Sequence, residues 1–313
     1  MAKKRGFIMY LEYYASRIAF MVFRAMPMDT ALALARCISP LVYLLHARHR
    51  RVAIDNLRHA FGGEMSEREI RRIARGVYAH LVMAGVEMLR MGDILKPNTF
   101  GAYVQLENWH IVDRLVAADA GAVFVTAHFG NWELNSFVMR LIGHPLRTVA
   151  RPFDNPLLDE YVRKHRADMG CLVEDKRGAL RPFVRTLKAK KFVGIIADQD
   201  ARDKGTFVEF FGRKCSWYTT PAVLALRFNV PVVPGFSYRY GSRFRFTTVV
   251  EEPIYPVRTG NDEEDVRRIV EAYAKKFEEH IRRRPEQWLW NHRRWKTRPP
   301  EEREAEQAEK VSV

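Results

Sequence analysis

Residues 121–135, Gly-Ala-Val-Phe-Val-Thr-Ala-His-Phe-Gly-Asn-Trp-Glu-Leu-Asn, constrain this chain more than any other stretch. Residues 122–127 are a short β-branched and apolar run, the pattern of a strand buried on both faces. The run ends at His128, and Phe129-Gly130-Asn131 lets the backbone turn. A helix then starts with Asn131 as N-cap and Glu133 in its first turn, where a carboxylate suits the helix dipole. His128 is thereby expected at the carboxyl end of a strand, beside the free amides of a helix start. In open α/β sheets that crevice is where ligands bind.

Spacing alone does not make a site. With 37 acidic residues and 10 histidines in 313, a His and an acid five apart should arise about once by chance. The sequence has His128/Glu133 and His59/Glu64. The second pair lies in a polar helix end running into Gly62-Gly63 and reads as solvated surface. Five positions along one helix put side chains about 140° apart, so both reach one point only if the histidine precedes the helix. Only the first pair meets that condition.

A neutral histidine at a strand end, oriented by a carboxylate, can take a proton from a hydroxyl. Glu133 is expected to hold the imidazole tautomer and stabilise the imidazolium that forms. No serine or cysteine sits in a Gly-x-Ser-x-Gly elbow, so the attacking hydroxyl comes from a substrate, and amides of the following turn are expected to hold oxyanion charge. Together these describe acyl transfer from a thioester to an alcohol. A metal site would need a third ligand, and none lies close in sequence. Taken alone, the stretch equally allows a structural His–Glu hydrogen bond.

The formal net charge of +15 calls for an anionic partner: nucleic acid, an acidic membrane face, a phosphorylated lipid or an acidic carrier protein. The absence of zinc spacing or an RNP-like strand, with a greasy N-terminus, speaks against nucleic acid. Cys37, Cys171 and Cys215 are odd in number and lack a Cys-x-x-Cys pair, which fits a reducing compartment and no disulfide framework.

Residues 1–45 are read as membrane-associated helices. Lys3, Lys4 and Arg5 precede an aromatic and aliphatic run at 7–23, interrupted by Glu12 and Arg17. A second apolar run at 31–45 contains Arg36 and Pro40. Neither matches a clean span of about 20 uncharged residues. A helical hairpin or an interfacial helix fits better, with Tyr10, Tyr13 and Tyr14 at the boundary; an amphipathic helix packed on a soluble domain is the alternative. Basic residues at Arg48, Arg50 and Arg51 follow where lipid phosphates would lie. Ser66 and Glu69 form a capping box for a helix reaching about residue 91. From residue 100 strands at 103–107, 122–127, 146–150, 192–197, 230–237 and 243–250 alternate with helices. This predicts an α/β fold with a mixed, mostly parallel sheet flanked by helices over 46–300. Residues 301–313 read as a charged flexible tail.

Several blocks then share one resemblance. His128-Phe-Gly-Asn-Trp-Glu133 matches the H-x4-D/E motif of the late lipid A acyltransferases, the lauroyl/myristoyl transferase family of Gram-negative bacteria. Also similar are Arg50-Arg-Val-Ala-Ile-Asp-Asn-Leu57, Arg151-Pro-Phe-Asp-Asn-Pro-Leu-Leu158, Asp198-Gln-Asp200, Phe210-Phe-Gly212, Thr219-Thr-Pro221 and Trp288-Leu-Trp-Asn-His-Arg-Arg-Trp-Lys-Thr-Arg-Pro299. The resemblance runs from about residue 7 to 299. It implies a glycerolipid-acyltransferase-like fold, bitopic or peripheral at the inner membrane with the active site facing the cytoplasm. It implies acyl transfer from acyl carrier protein, or from coenzyme A, to a hydroxyl of an anionic glycolipid, without cofactor or metal. His128 would be the base and Glu133 its partner; Arg166 and Asp198 match further functional positions, read here as substrate-binding. Arg151 is a candidate phosphate contact. A phosphatidylinositol mannoside, a lysophospholipid or an aminolipid are other acceptors for the same chemistry. A non-enzymatic basic membrane- or nucleic-acid-binding protein is the alternative of another class.

Overall fold

A computed structural model of the protein describes residues 6–175, 178 and 180–302. Lys3, Lys4 and Arg5, and the tail beyond residue 302, lie outside the described residues. Four helices come first: α1 (Gly6–Ala25), α2 (Met28–Leu45), α3 (Ala47–Phe61) and α4 (Glu67–Ile94). There follow β1 (Val104–Glu107), α5 (His110–Ala117), β2 (Ala122–Thr126), α6 (Trp132–Leu141), β3 (Arg147–Ala150), α7 (Pro156–Asp168), β4 (Leu172–Asp175), α8 (Leu180–Lys188) and β5 (Phe192–Ile196). The chain closes with β6 (Thr206–Phe210), β7 (Arg213–Trp217), α9 (Thr220–Phe228), β8 (Val232–Arg239), β9 (Phe246–Val250) and α10 (Asp262–Arg283).

Among the described residues, seven strands form one sheet in the order β1-β9-β8-β2-β5-β3-β4. Every neighbouring pair is parallel except β8–β9, so the sheet is mixed and mostly parallel, as the alternation of strands and helices predicts. β1 occupies an edge. β2 and β5 lie side by side inside the sheet, and their near-continuous apolar sequences are buried, as helices on both faces require. Their register pairs Thr126 with Ile196, the last residue of each strand. That pairing sets the geometry of the site below.

The capping box is present: the Glu69 amide donates to Ser66 Oγ (3.4 Å), and Glu69 Oε2 accepts from the Ser66 amide (2.9 Å). The helix it opens, α4, buries Ile73, Val77, His80 and Glu87. The last two are seven positions apart, hence on one face.

α1 and α2 lie against this body. Arg90 NH1 donates to the carbonyls of Phe23 (2.9 Å) and Met26 (2.7 Å), and Asn155 Nδ2 donates to the Met9 carbonyl (2.9 Å). α2 buries Ala31, Leu32 and Ala35, and among the described residues it alone is long and apolar enough to cross a membrane. Arg50 donates to the Tyr43 and Leu44 carbonyls (2.8 and 3.1 Å), closing the carboxyl end of α2. α1 has no buried residue and exposes Phe7, Leu11, Tyr14, Ile18 and Met21 at helical spacing. So long an exposed apolar stripe marks an interaction face. Leu11 and Ile18 are 60% and 57% exposed, so Leu11→Glu with Ile18→Glu should leave the urea midpoint within error. The same pair should weaken cosedimentation with anionic vesicles by about tenfold or more, since each buried aliphatic side chain contributes about 1.5–3 kcal/mol.

Candidate active site

β2 and β5 end in register, and each chain continues two residues further before turning. Those residues are Ala127-His128 and Ala197-Asp198, held together by the Ala197 amide on the Thr126 carbonyl (2.9 Å). His128 and Asp198 therefore meet. His128 Nδ1 lies 2.7 Å from Asp198 Oδ1, while Asp198 Oδ2 accepts the His128 amide (2.8 Å) and the Trp288 indole N–H (2.7 Å). Asp198 is 2% exposed. Burial pushes its carboxyl up, but the facing imidazole and these donors outweigh that and hold it below the usual carboxylate range. An ionised carboxylate only accepts, so Nδ1 carries a proton, and in the neutral ring the lone pair therefore lies on Nε2. Nε2 has no hydrogen-bond partner among the described residues, and the ring lines a cavity of about 660 Å³.

The turn after His128 is fixed from behind. The Gly130 amide donates to the Gln287 carbonyl (2.9 Å) and the Asn131 amide to the Ser237 carbonyl (2.7 Å). Gly130 has φ +58, and a Cβ there would lie 1.9 Å from the Ser237 carbonyl oxygen, so only glycine fits. His80 donates from Nε2 to the Gly130 carbonyl (3.0 Å) and accepts at Nδ1 from Arg239 NH1 (3.1 Å). Its tautomer follows, because arginine cannot accept. Burial first, then Arg239, keeps that ring neutral by pushing its pKa well below the ordinary histidine value. Arg239 also pairs with Glu87, which accepts from Asn131 Nδ2 (3.0 Å). Asn131 Oδ1 in turn accepts the Leu134 amide (3.2 Å) and caps α6.

Glu133 faces the same cavity but belongs to another pair. Arg166 of α7 reaches it with both arms of the guanidinium, NH2 to Oε1 at 2.5 Å and Nε to Oε2 at 3.1 Å. Most of the remaining wall is apolar, with Phe124, Met139, Leu146, Val149, Phe183 and Val250, interspersed with polar Thr126, Asn135, Thr148, Gln199 and Thr248. The volume and the few convergent polar groups suit a small-molecule site.

The profile of a family described as bacterial lipid A biosynthesis acyltransferase matches residues 2–297. The chain belongs to that family. It is 30% identical over 265 residues to the lipid A biosynthesis palmitoleoyltransferase of Escherichia coli (strain K12), with 80% of each chain covered. It is 25% identical over 256 residues to the lipid A biosynthesis myristoyltransferase of the same organism, covering 81% of this chain and 77% of that one. The phosphatidylinositol mannoside acyltransferase of Mycobacterium tuberculosis is 26% identical over 199 residues, 62% of this chain and 61% of its own. A solved structure of a 1-acyl-sn-glycerophosphate acyltransferase from Thermotoga maritima aligns with 81% of this chain and 98% of its own, at 18% identity and a TM-score of 0.37, too remote to inform the site. As a member of this acyltransferase family, the protein is an O-acyltransferase.

The geometry in this acyltransferase changes several expected roles. Orientation of His128 falls to Asp198 rather than Glu133, because a guanidinium fork engages the Glu133 carboxylate. Asp198, expected to face substrate, is buried, has both oxygens engaged by His128 and Trp288, and lines neither cavity. Arg166 lines the cavity, as a substrate contact should, with Glu133 holding it. Arg151 lies at the cavity mouth, exposed and 3.0 Å from Asp154. The amides of Gly130 and Asn131 are consumed by the turn, which leaves those of Trp132 and Glu133 without partners among the described residues. The His59/Glu64 pair does not form and is only half solvated: His59 is partly buried edge-on to Trp295, where burial lowers its pKa, while exposed Glu64 pairs with Arg282. His280–Glu251 is a second histidine–carboxylate pair (2.9 Å), but its ring stacks on Phe236 and lines neither this cavity nor its neighbour. Trp288, Gln287, His80, Glu87 and Arg239 support the site and were not foreseen from sequence. Their signal was weak: buried polar residues on separate elements, related only by the fold.

Gly130→Ala should be destabilising by about 2 kcal/mol or more, since left-handed backbone alone costs about 1–3 kcal/mol in a non-glycine residue. Urea unfolding monitored by tryptophan fluorescence measures this, and a midpoint equal to wild type would contradict the packing described at Ser237.

Proposed function

We propose that the protein transfers a fatty acyl chain from a thioester of acyl carrier protein to a hydroxyl of a lipid A precursor, with His128 as general base. The observation that carries this reading is the 2.7 Å His128–Asp198 hydrogen bond at the wall of an apolar cavity. Nε2 takes the acceptor hydroxyl proton as its oxygen attacks the thioester carbonyl. Asp198 stays ionised, holds Nδ1–H and stabilises the imidazolium. The tetrahedral oxyanion forms near the first amides of α6 and the Arg166 guanidinium, where positive potential favours it. Collapse expels the thiolate, which takes the proton from Nε2. Atoms and charge balance without cofactor or metal.

In this reading Glu133 is a positioning residue that fixes Arg166 through its bidentate contact. The apolar cavity holds the acyl chain. The charge of +15 suits both an acidic carrier protein and a phosphorylated glycolipid. The exposed apolar stripe of α1 and the apolar α2 support a position of the protein at the cytoplasmic face of the inner membrane, where both co-substrates would meet.

An assay offers acyl carrier protein and coenzyme A thioesters with a lipid A precursor, a phosphatidylinositol mannoside and a lysophospholipid, with products read by mass spectrometry. The expected result is a mass gain of one acyl chain on the lipid A precursor with the carrier-protein donor. His128→Ala and Asp198→Asn should each lower the rate by about 10²–10⁴-fold. Glu133→Ala and Arg166→Ala should each be impaired, and their double variant hardly more so, as for residues acting as one unit. Acylation of another acceptor alone would retain the chemistry and discard the lipid A assignment.

A further inference from the structure

A second cleft, of about 1020 Å³, adjoins the active-site cavity and shares Arg151, Gln199 and Tyr218 with it. Segments far apart in sequence converge there: Arg48 from the start of α3, Arg202 and Lys204 after β5, and Arg293 and Lys296 near the carboxyl end. With Arg151 this makes six cations facing two carboxylates, Asp200 and Asp203. Asp200 Oδ2 is engaged by Thr297 Oγ1 (2.9 Å). The Arg202 amide donates to Asp200 Oδ1 (3.4 Å), but among the described residues the side-chain cations of Arg48, Arg202, Lys204, Arg293 and Lys296 have no carboxylate partner.

Gathering unpaired cations on one concave surface is unfavourable until an anion enters. α3 sharpens the point. Its first five residues carry Arg48, Arg50 and Arg51, and its first turn has no acidic residue, so the cations stand against the positive end of the helix. Arg50 has a structural account in closing α2; Arg48 has none. The frame is fixed as well. Asn56 Nδ2 ties α3 to the Trp290 and His292 carbonyls (2.7 and 2.8 Å), and Arg294 NH1 ties the same segment to the Ser216 carbonyl (2.6 Å).

We propose that this cleft binds a phosphate ester of the acceptor lipid and so presents the acceptor hydroxyl to His128. The inference rests on the acyltransferase reading above and adds the recognition group. Arginine forks match phosphate oxygens bidentately. The position favours a lipid headgroup over a phosphate on the donor's carrier arm. Arg48 lies three residues beyond Leu45, the end of α2, whose Leu41, Leu44 and Leu45 are apolar and exposed. A lipid with its chains on that side would carry its phosphate to the cleft.

The test compares wild type with Arg48→Ala/Arg293→Ala, both exposed positions, on a phosphorylated lipid A precursor and on the same lipid with its phosphates removed. For wild type, dephosphorylation should lower kcat/KM at least about tenfold; for the double variant the two acceptors should give the same kcat/KM. The donor KM should be alike in both proteins. Calorimetric titration of the phosphorylated precursor in micelles into His128→Ala protein, with and without the two arginine substitutions, reads the cleft without turnover. It thus separates a failed cleft from a failed catalytic assignment. Tighter binding with the arginines present supports the proposal. Equal binding, an unchanged preference for the phosphorylated acceptor, or a rise in donor KM alone would overturn it.

Discussion

Two neighbouring parallel strands ending at the same height underlie the site. Because β2 and β5 stop in register, the residue two positions beyond each is brought to its counterpart, and a histidine and an aspartate occupy those positions. Parallel pairing matters here, since it sends both chain ends out of the same edge of the sheet. A slip of one residue would turn Asp198 to the opposite face and leave the imidazole without its carboxylate. The short hydrogen bond is thus a product of sheet register, made before any substrate is present.

Register alone does not hold an imidazole steady, and the turn behind it supplies the rest. Glu87 and Arg239 are buried charges, which cost several kcal/mol each in desolvation unless paired and hydrogen-bonded. Here they are paired with one another, with Asn131 and with neutral His80, so nearly every donor and acceptor has a partner. Such a network contributes definition more than net stability. It anchors Gly130 and Asn131, and through them the first turn of α6, to α4 and β8. The resulting division of labour gives one carboxylate to the histidine and another to Arg166.

Much of this was legible in sequence. The buried strand, the turn and the helix start at residues 122–135 follow from local composition, and the capping box at Ser66 is present atom for atom. What sequence could not give was the neighbour of β2. Glu133 is five residues from His128, whereas Asp198 is seventy away and is brought near only by strand order. Both lie in polar runs after an apolar strand, so Asp198 was visible as a candidate, but its partner was not. The β6–β7 hairpin escaped for a different reason. Its two-residue turn, Phe211-Gly212, has positive φ at both positions (52° and 72°), where asparagine or aspartate before glycine would ordinarily announce it. Phe211 is held there by its amide on Glu278 (2.7 Å) and by burial against Phe61 and Trp290. The tertiary environment, and not local propensity, sets that turn. β4 is a short, partly exposed edge strand with little periodicity to read.

Asp198, and not Glu133, holds the proton-bearing side of the His128 ring. Proton NMR of protein with ¹⁵N-labelled histidine tests this directly. The expected spectrum shows a downfield Nδ1–H resonance, absent from His128→Ala, that is lost in Asp198→Asn and retained in Glu133→Gln. A resonance that survives Asp198→Asn and vanishes in Glu133→Gln would contradict it.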